Sequence, residues 1–137
     1  VSVTWTLVDL ADAVQQFNAA PAAMADDARD VVESEAQSAA TEIVGQYPAI
    51  SGTLRAGVGV EVMRGDAYYA GARVVSRSPE ALWYEYGTAD RHNAHGAFRG
   101  RVRPHFVLIR TMIAHRAKLN DYWRTLLRSF GLTVSDL

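Results

Sequence analysis

The spacing of apolar positions divides the chain into segments of different texture. Val1–Thr6 alternates as a short strand does, and Leu7, Leu10, Val14 and Phe17 then recur on one side of a short helix, so residues 1–20 read as a strand and a helix. Pro21 suits a helix start, and from Ala22 to Val44 the chain is rich in Ala, Glu and Gln with no glycine before Gly45. Its apolar residues Met24, Ala28, Val31, Val32, Ala39, Ile43 and Val44 recur at three and four, which predicts a long amphipathic helix over 21–45. Asp26, Asp27 and Asp30 crowd its first turns, where carboxylates favour the helix dipole.

Tyr47-Pro48 and Ser51-Gly52 break that helix, and the texture changes to Val, Tyr and alternation. Leu54–Met63 and Ala67–Ser76 read as two strands joined by a turn at Arg64-Gly65-Asp66; turn chemistry explains this Arg-Gly-Asp better than cell adhesion does. Leu82–Tyr86 is dense in aromatics and fits a third strand or a short helical turn, so the sheet region is set at 54–87. Thr88–Arg103 has no apolar periodicity, and a polar stretch of sixteen residues suggests a flexible functional loop. Pro104 is expected to open a last helix running to about Ser129, within 104–130, with Gly131 as its cap. The apolar arc of that helix is wider than one small sheet needs, which points to a second partner. The expected fold is a single α+β domain over residues 1–137, in which a small antiparallel β-sheet is packed by a long N-terminal helix and a long C-terminal helix, with an extended polar loop before the last helix.

At 137 residues the chain fits one domain and can bury a core without staples. It has no cysteine, which excludes disulfides, thiolate metal sites and cysteine nucleophiles. No apolar run is long enough to cross a membrane and no basic-then-apolar leader is seen, so neither a membrane span nor a secretory precursor is expected. The net charge of −1 conceals a strong asymmetry. Residues 1–50 carry one base, Arg29, against eight acids, and residues 51–137 carry thirteen bases against seven acids. Between Arg91 and Arg128 nine bases face one acid, Asp121. Such polarity suits a nucleic acid or a partner of opposite sign, and that partner can be another copy of the chain.

Candidate chemistry is sparse. Asp90, His92 and His95 fall within six residues and raise a metal-dependent hydrolase as an alternative, but their spacing matches no dedicated zinc motif and Arg91 opposes a cation. No G-x-S-x-G, G-x-G-x-x-G or Walker-type loop occurs. Glu85, among Trp83, Tyr84 and Tyr86, is expected to pair with an arginine, Arg55 or Arg103. Basic residues interleaved with Phe98, Phe106, Tyr122 and Trp123 raise a small DNA-binding module as a further alternative, although the helical aromatics are more simply core. No catalytic residue, metal ligand or cofactor is assigned.

Three short elements nevertheless occur in order: Ser51-Gly52-Thr53-Leu54-Arg55 after the long helix, Trp83-Tyr84-Glu85-Tyr86-Gly87-Thr88 at the end of the sheet region, and Arg103-Pro104-His105-Phe106 before the last helix. Their order and spacing resemble the neck or tail-completion (minor tail, head–tail joining) family of long-tailed bacteriophages over roughly Ala22 to Leu127. Ser51 stands where Thr is common, and His105 separates a Pro-Phe pair that is often contiguous. The resemblance implies a structural virion protein rather than an enzyme, forming a ring, most simply hexameric, between head connector or stopper and tail tube, around the channel that DNA crosses. It also implies non-specific proximity to packaged DNA, a virion location and assembly in the bacterial host cytoplasm. Gly52, Leu54, Gly87, Pro104 and Phe106 are then structural positions. Subunit or partner contacts are expected to draw on Arg55, Glu85, Tyr86, Gly87, Thr88, Arg91, Phe98, Arg99, Arg101, Arg103 and Trp123.

Overall fold

A computed structural model of the chain describes residues 3–6, 22–49, 52–64 and 70–129. The expected helix over Leu7–Phe17, the turn at Gly65-Asp66, Ser51 and the Gly131 cap lie outside the described residues. The elements run β1 (Val3–Thr6), α1 (Ala22–Gln46), α2 (Thr53–Ala56), β2 (Val58–Arg64), β3 (Ala70–Ser76), α3 (Pro79–Tyr86) and α4 (Val107–Ser129). The fold is α+β, a small antiparallel sheet packed by two long helices. The three strands lie in the order β1-β3-β2, with β3 central and paired antiparallel on both sides. Val58 faces Ser76 and Val60 faces Val74 on one side, while Val3 faces Ser76 and Trp5 faces Val74 on the other.

Helix α1 lies against β3. Val32, Ala36, Ala39, Ala40 and Ile43, at helical spacing, are buried with Ala72 and Val74 of β3. Alanine at three of those helix positions and at Ala72 leaves little side-chain bulk between backbone layers, so the helix and sheet approach closely. Met112, Leu108, Leu119 and Trp123 of α4 complete the same cluster. The acids that were expected to serve the dipole of α1 do not do so. The helix begins at Ala22 and has no acid in its first turn, and Asp26, Asp27 and Asp30 sit beyond the reach of that effect.

The expected sheet region requires two corrections. Thr53–Ala56 is a helical turn, with Gly52 ahead of it at φ +73°, and β2 begins only at Val58. Pro79–Tyr86 is a helix, settling the Leu82–Tyr86 ambiguity against a strand. Ser78 caps it by accepting from the Glu80 N–H at 3.3 Å, and Pro79 occupies the first helical position. The third strand is therefore contributed by the N-terminal segment, not by the aromatic stretch.

A polar clamp fixes α1 to α4. His115 is 2% exposed, with Nδ1 2.6 Å from Glu35 Oε1 and Nε2 3.0 Å from Glu42 Oε2. An imidazole protonated on both nitrogens donates to both carboxylates at once; a neutral ring donates to only one. Gln46 adds a bond from its amide to Thr111 Oγ1 at 3.3 Å. Residue 111 thus meets 46 while 115 lies between 35 and 42, so the helices run antiparallel. Replacing His115 with Ala removes a buried ring and both bonds, and is expected to cost about 2–4 kcal/mol of unfolding free energy in urea titrations. A loss under about 1 kcal/mol would mean that the clamp does not hold the helices together.

Candidate functional site: a capped joint carrying a basic arch

The sequence gives α4 no capping residue of its own. Pro104, His105 and Phe106 precede it, and none offers the short side-chain oxygen that satisfies the free N–H groups of a first turn. Helix α4 begins at Val107, three residues after the expected start at Pro104, because Phe106 adopts φ +52° and turns the chain into the helix. This left-handed conformation is costly for a bulky residue and persists only where neighbours enforce it. Phe106 O accepts from the Arg110 N–H at 3.1 Å, and its ring meets Tyr86 edge-on with centroids 6.0 Å apart.

Glu85 supplies the missing cap. Its side chain, 1% exposed, places Oε1 and Oε2 each 3.1 Å from the Leu108 N–H, while Tyr47 Oη donates to Oε1 at 2.8 Å. The expected pairing of Glu85 with Arg55 or Arg103 is therefore corrected. The compensating positive charge is the N-terminal end of α4, and the second donor is a phenol. Arg55 instead donates through Nε to Tyr47 O at 2.6 Å, and Arg103 is exposed. Burial first, and then the hydrogen bond and negative charge of Glu85, raise the Tyr47 pKa well above its ordinary value. Tyr84, edge-on to Tyr47 at 5.4 Å, is shifted the same way by burial and then by Glu85.

The backbone closes the joint. The carbonyls of Tyr84 and Glu85, left free at the end of α3, accept from the N–H groups of His105 and Phe106 at 3.1 and 3.3 Å. The His105 ring stacks on Tyr84 with centroids 4.0 Å apart. Gly87 turns the chain out of α3 at φ +76°, ψ −176°, a region essentially confined to glycine, and a Cβ there would lie 2.7 Å from Val102 O. Thr53 Oγ1 donates to Glu80 Oε2 at 2.8 Å, joining α2 to α3. Trp83–Thr88 and Arg103–Phe106 thus meet directly, while Thr53 and Arg55 reach the same joint through Glu80 and Tyr47.

From this joint residues 88–103 leave as an arch rather than a structureless loop. Thr88 and Val102 exchange bonds at its foot, Thr88 N–H to Val102 O and Val102 N–H to Thr88 Oγ1, both at 3.0 Å. Arg91 N–H donates to Gly100 O and Arg99 N–H to Arg91 O, and His92 and Phe98 form a bridge pair with rings 5.7 Å apart. The tip is an Asn93-Ala94-His95-Gly96 turn, in which Asn93 Oδ1 accepts from the N–H groups of His95 and Ala97 at 3.0 and 2.8 Å. No residue from Tyr86 to Phe106 is buried. Phe98 is 61% exposed, and Arg91, Arg99, Arg101 and Arg103 stand in solvent beside a single acid, Asp90.

The expected contact residues accordingly separate. Tyr86, Arg91, Phe98, Arg99, Arg101 and Arg103 lie at the surface, and Gly87 and Thr88 form the foot of the arch. Glu85 and Trp123 are buried, and Arg55 is half-buried and bound to Tyr47; Glu85 and Arg55 frame the site. Trp123 belongs to the core cluster. Of the structural positions, Gly52 and Gly87 hold positive φ, Leu54 is in the core, and Pro104 packs against Gly87. The residues considered for a metal do not converge. The Asp90 carboxylate lies 3.9 Å from Arg101 Nε, the His92 ring rests on Phe98, and no cluster of three or more ligating side chains forms among the described residues. Sequence reasoning missed Tyr47, although a helix start without a capping residue was a signal that a cap must come from elsewhere.

Comparison with protein-family models, curated proteins and solved structures finds no match for this chain. Among the described residues no helix is long and apolar enough to cross a membrane.

Two measurements test the joint. Glu85→Gln and Tyr47→Phe should each lower unfolding free energy by about 1–3 kcal/mol, and a double-mutant cycle should show coupling of at least about 0.5 kcal/mol; additive losses would mean that the two groups do not act together. Because the raised Tyr47 pKa favours folding only while the unfolded phenol stays protonated, that contribution is complete below about pH 10 and lost as pH rises further. The stability gap between wild type and Tyr47→Phe should therefore narrow above about pH 10, by up to about 1.4 kcal/mol per pH unit; a constant gap would contradict this.

Proposed function

We propose that the protein is a structural virion component that forms a closed ring at the head–tail junction of a long-tailed bacteriophage, as a tail-completion, terminator or neck protein. The observation that carries this reading is the convergence of Gly52–Arg55, Trp83–Thr88 and Arg103–Phe106, the described parts of the elements that resemble that family. The second and third bond each other directly, and the first reaches them through Glu80 and Tyr47, in the joint that presents the 88–103 arch. A scaffold whose buried polar bonds serve to hold out an exposed, arginine-rich segment suits contact with another protein. In a closed ring each copy uses two different faces, and a chain acidic in one half and basic in the other supplies them.

Within that reading the neighbours are further copies, in a hexamer most simply, together with head-connector or stopper and tail-tube proteins, with packaged DNA close by. The location would be the virion, after assembly in the host cytoplasm. Native mass spectrometry and negative-stain microscopy of the purified chain should show closed rings whose population falls as salt rises from about 0.05 to 0.5 M, because charge contacts are screened over that range. A chain that stays monomeric at high concentration and low salt, and that does not join particles lacking it, would refute the proposal.

A further inference from the structure

The positions of the two charged surfaces permit a more specific statement, which rests on the ring reading. The foot of the arch is tied to Tyr47, just past the end of α1, through Glu85. Asp26, Asp27, Asp30 and Glu33 lie toward the other end of the same helix, and at 1.5 Å per residue Asp27 is about 30 Å from Tyr47. All four acids are exposed. Glu35 and Glu42, which bind His115, mark the side of α1 that faces α4. At 3.6 residues per turn Asp30 and Glu33 point about 140–160° away from Glu35, so they look away from α4 and from its Arg124 and Arg128. Asp26 pairs with Arg29 at 3.0 Å, whereas Asp27, Asp30 and Glu33 have no ion pair among the described residues. On the arch, Asp90 approaches Arg101 at 3.9 Å, and Arg91, Arg99 and Arg103 likewise have none.

We infer that the arch of one copy docks on the acidic outer face of α1 in the next copy, with Arg91, Arg99 and Arg101 facing Asp30 and Glu33 and with Phe98 as the apolar contact. Charge complementarity selects the occupant. The basic surface and the acidic surface issue from opposite ends of α1, so successive copies can join them head to tail. The contact is heterologous and repeats from copy to copy, as closure of a ring demands. An exposed aromatic flanked by arginines has the composition of an interface hot spot, and the surrounding charges fix register and speed encounter. The placement also gives the acids of α1 a use that the helix dipole does not supply.

The test uses the full chain and exploits its lack of cysteine. Phe98→Cys and Glu33→Cys variants, mixed under assembly conditions and oxidised, should give a disulfide-linked dimer that neither variant forms alone. Arg99→Glu with Arg101→Glu, and separately Asp30→Arg with Glu33→Arg, should each raise the concentration needed for assembly at least tenfold. An equimolar mixture of the two charge-reversed proteins should assemble again, because every junction is then of opposite sign. Assembly of wild type with no cross-link and no effect of reversal would overturn this contact while leaving the ring reading standing. A wild type that never assembles overturns both. If arch reversal abolishes binding to a short duplex DNA and leaves assembly intact, the arch serves a polyanion and the inference is wrong.

Discussion

One buried carboxylate determines where everything at this end of the molecule sits. Among the described residues Glu85 meets the Tyr47 phenol and the Leu108 N–H without an arginine, so its charge is balanced by a helix terminus to which it supplies the side-chain cap. Each partner needs the other. Without the carboxylate, a phenol and a backbone donor are left unsatisfied in the interior. Without the donors, an acid is stranded there. The end of α1, the last turn of α3 and the first turn of α4 are thus positioned by one group. Gly87 and Phe106 accept unusual backbone conformations on either side of it.

About two turns further along α4 the solution is different. His115 lies buried between Glu35 and Glu42, which themselves reach partly into solvent. Here hydrogen bonds pass between the side chains of two long helices rather than between a side chain and a helix terminus. Helix α1 consequently has three distinct flanks: an alanine-rich one against β3, a glutamate-bearing one against α4, and a carboxylate-studded one in water. A single stretch of sequence thereby serves core, interhelical lock and outer surface.

Much of this was legible from the chain. Period-3.6 spacing located α1 within a residue at each end, and alternation with turn residues found β2, β3 and the short β1. Local texture misled where it was ambiguous. Leu82–Tyr86 is aromatic enough for a strand, yet Ser78-Pro79-Glu80 ahead of it is a helix-start signature, and that signature decides. Thr53–Ala56 is apolar enough to prolong β2, but Gly52 in the left-handed region starts a helical turn. The arch residues were visible as a polar stretch, whereas their pairing depends on the joint below them. The role of Glu85 was out of reach because its partners lie 38 and 23 residues away, and spacing along the chain does not report such distances.

The mutual bonding of Thr88 and Val102 closes the arch on itself before it joins the rest of the protein. Beyond that closure the hydrogen bonds of the arch run between its own residues, Arg91 with Gly100 and Arg99, and Asn93 with the tip. Residues could be inserted or exchanged around the Asn93–Gly96 tip at little entropic cost, without displacing Glu85, Gly87 or the start of α4. Changes confined to that tip would leave the joint, and the arginines and Phe98 on the flanks of the arch, where they are, much as a common handle accepts interchangeable blades.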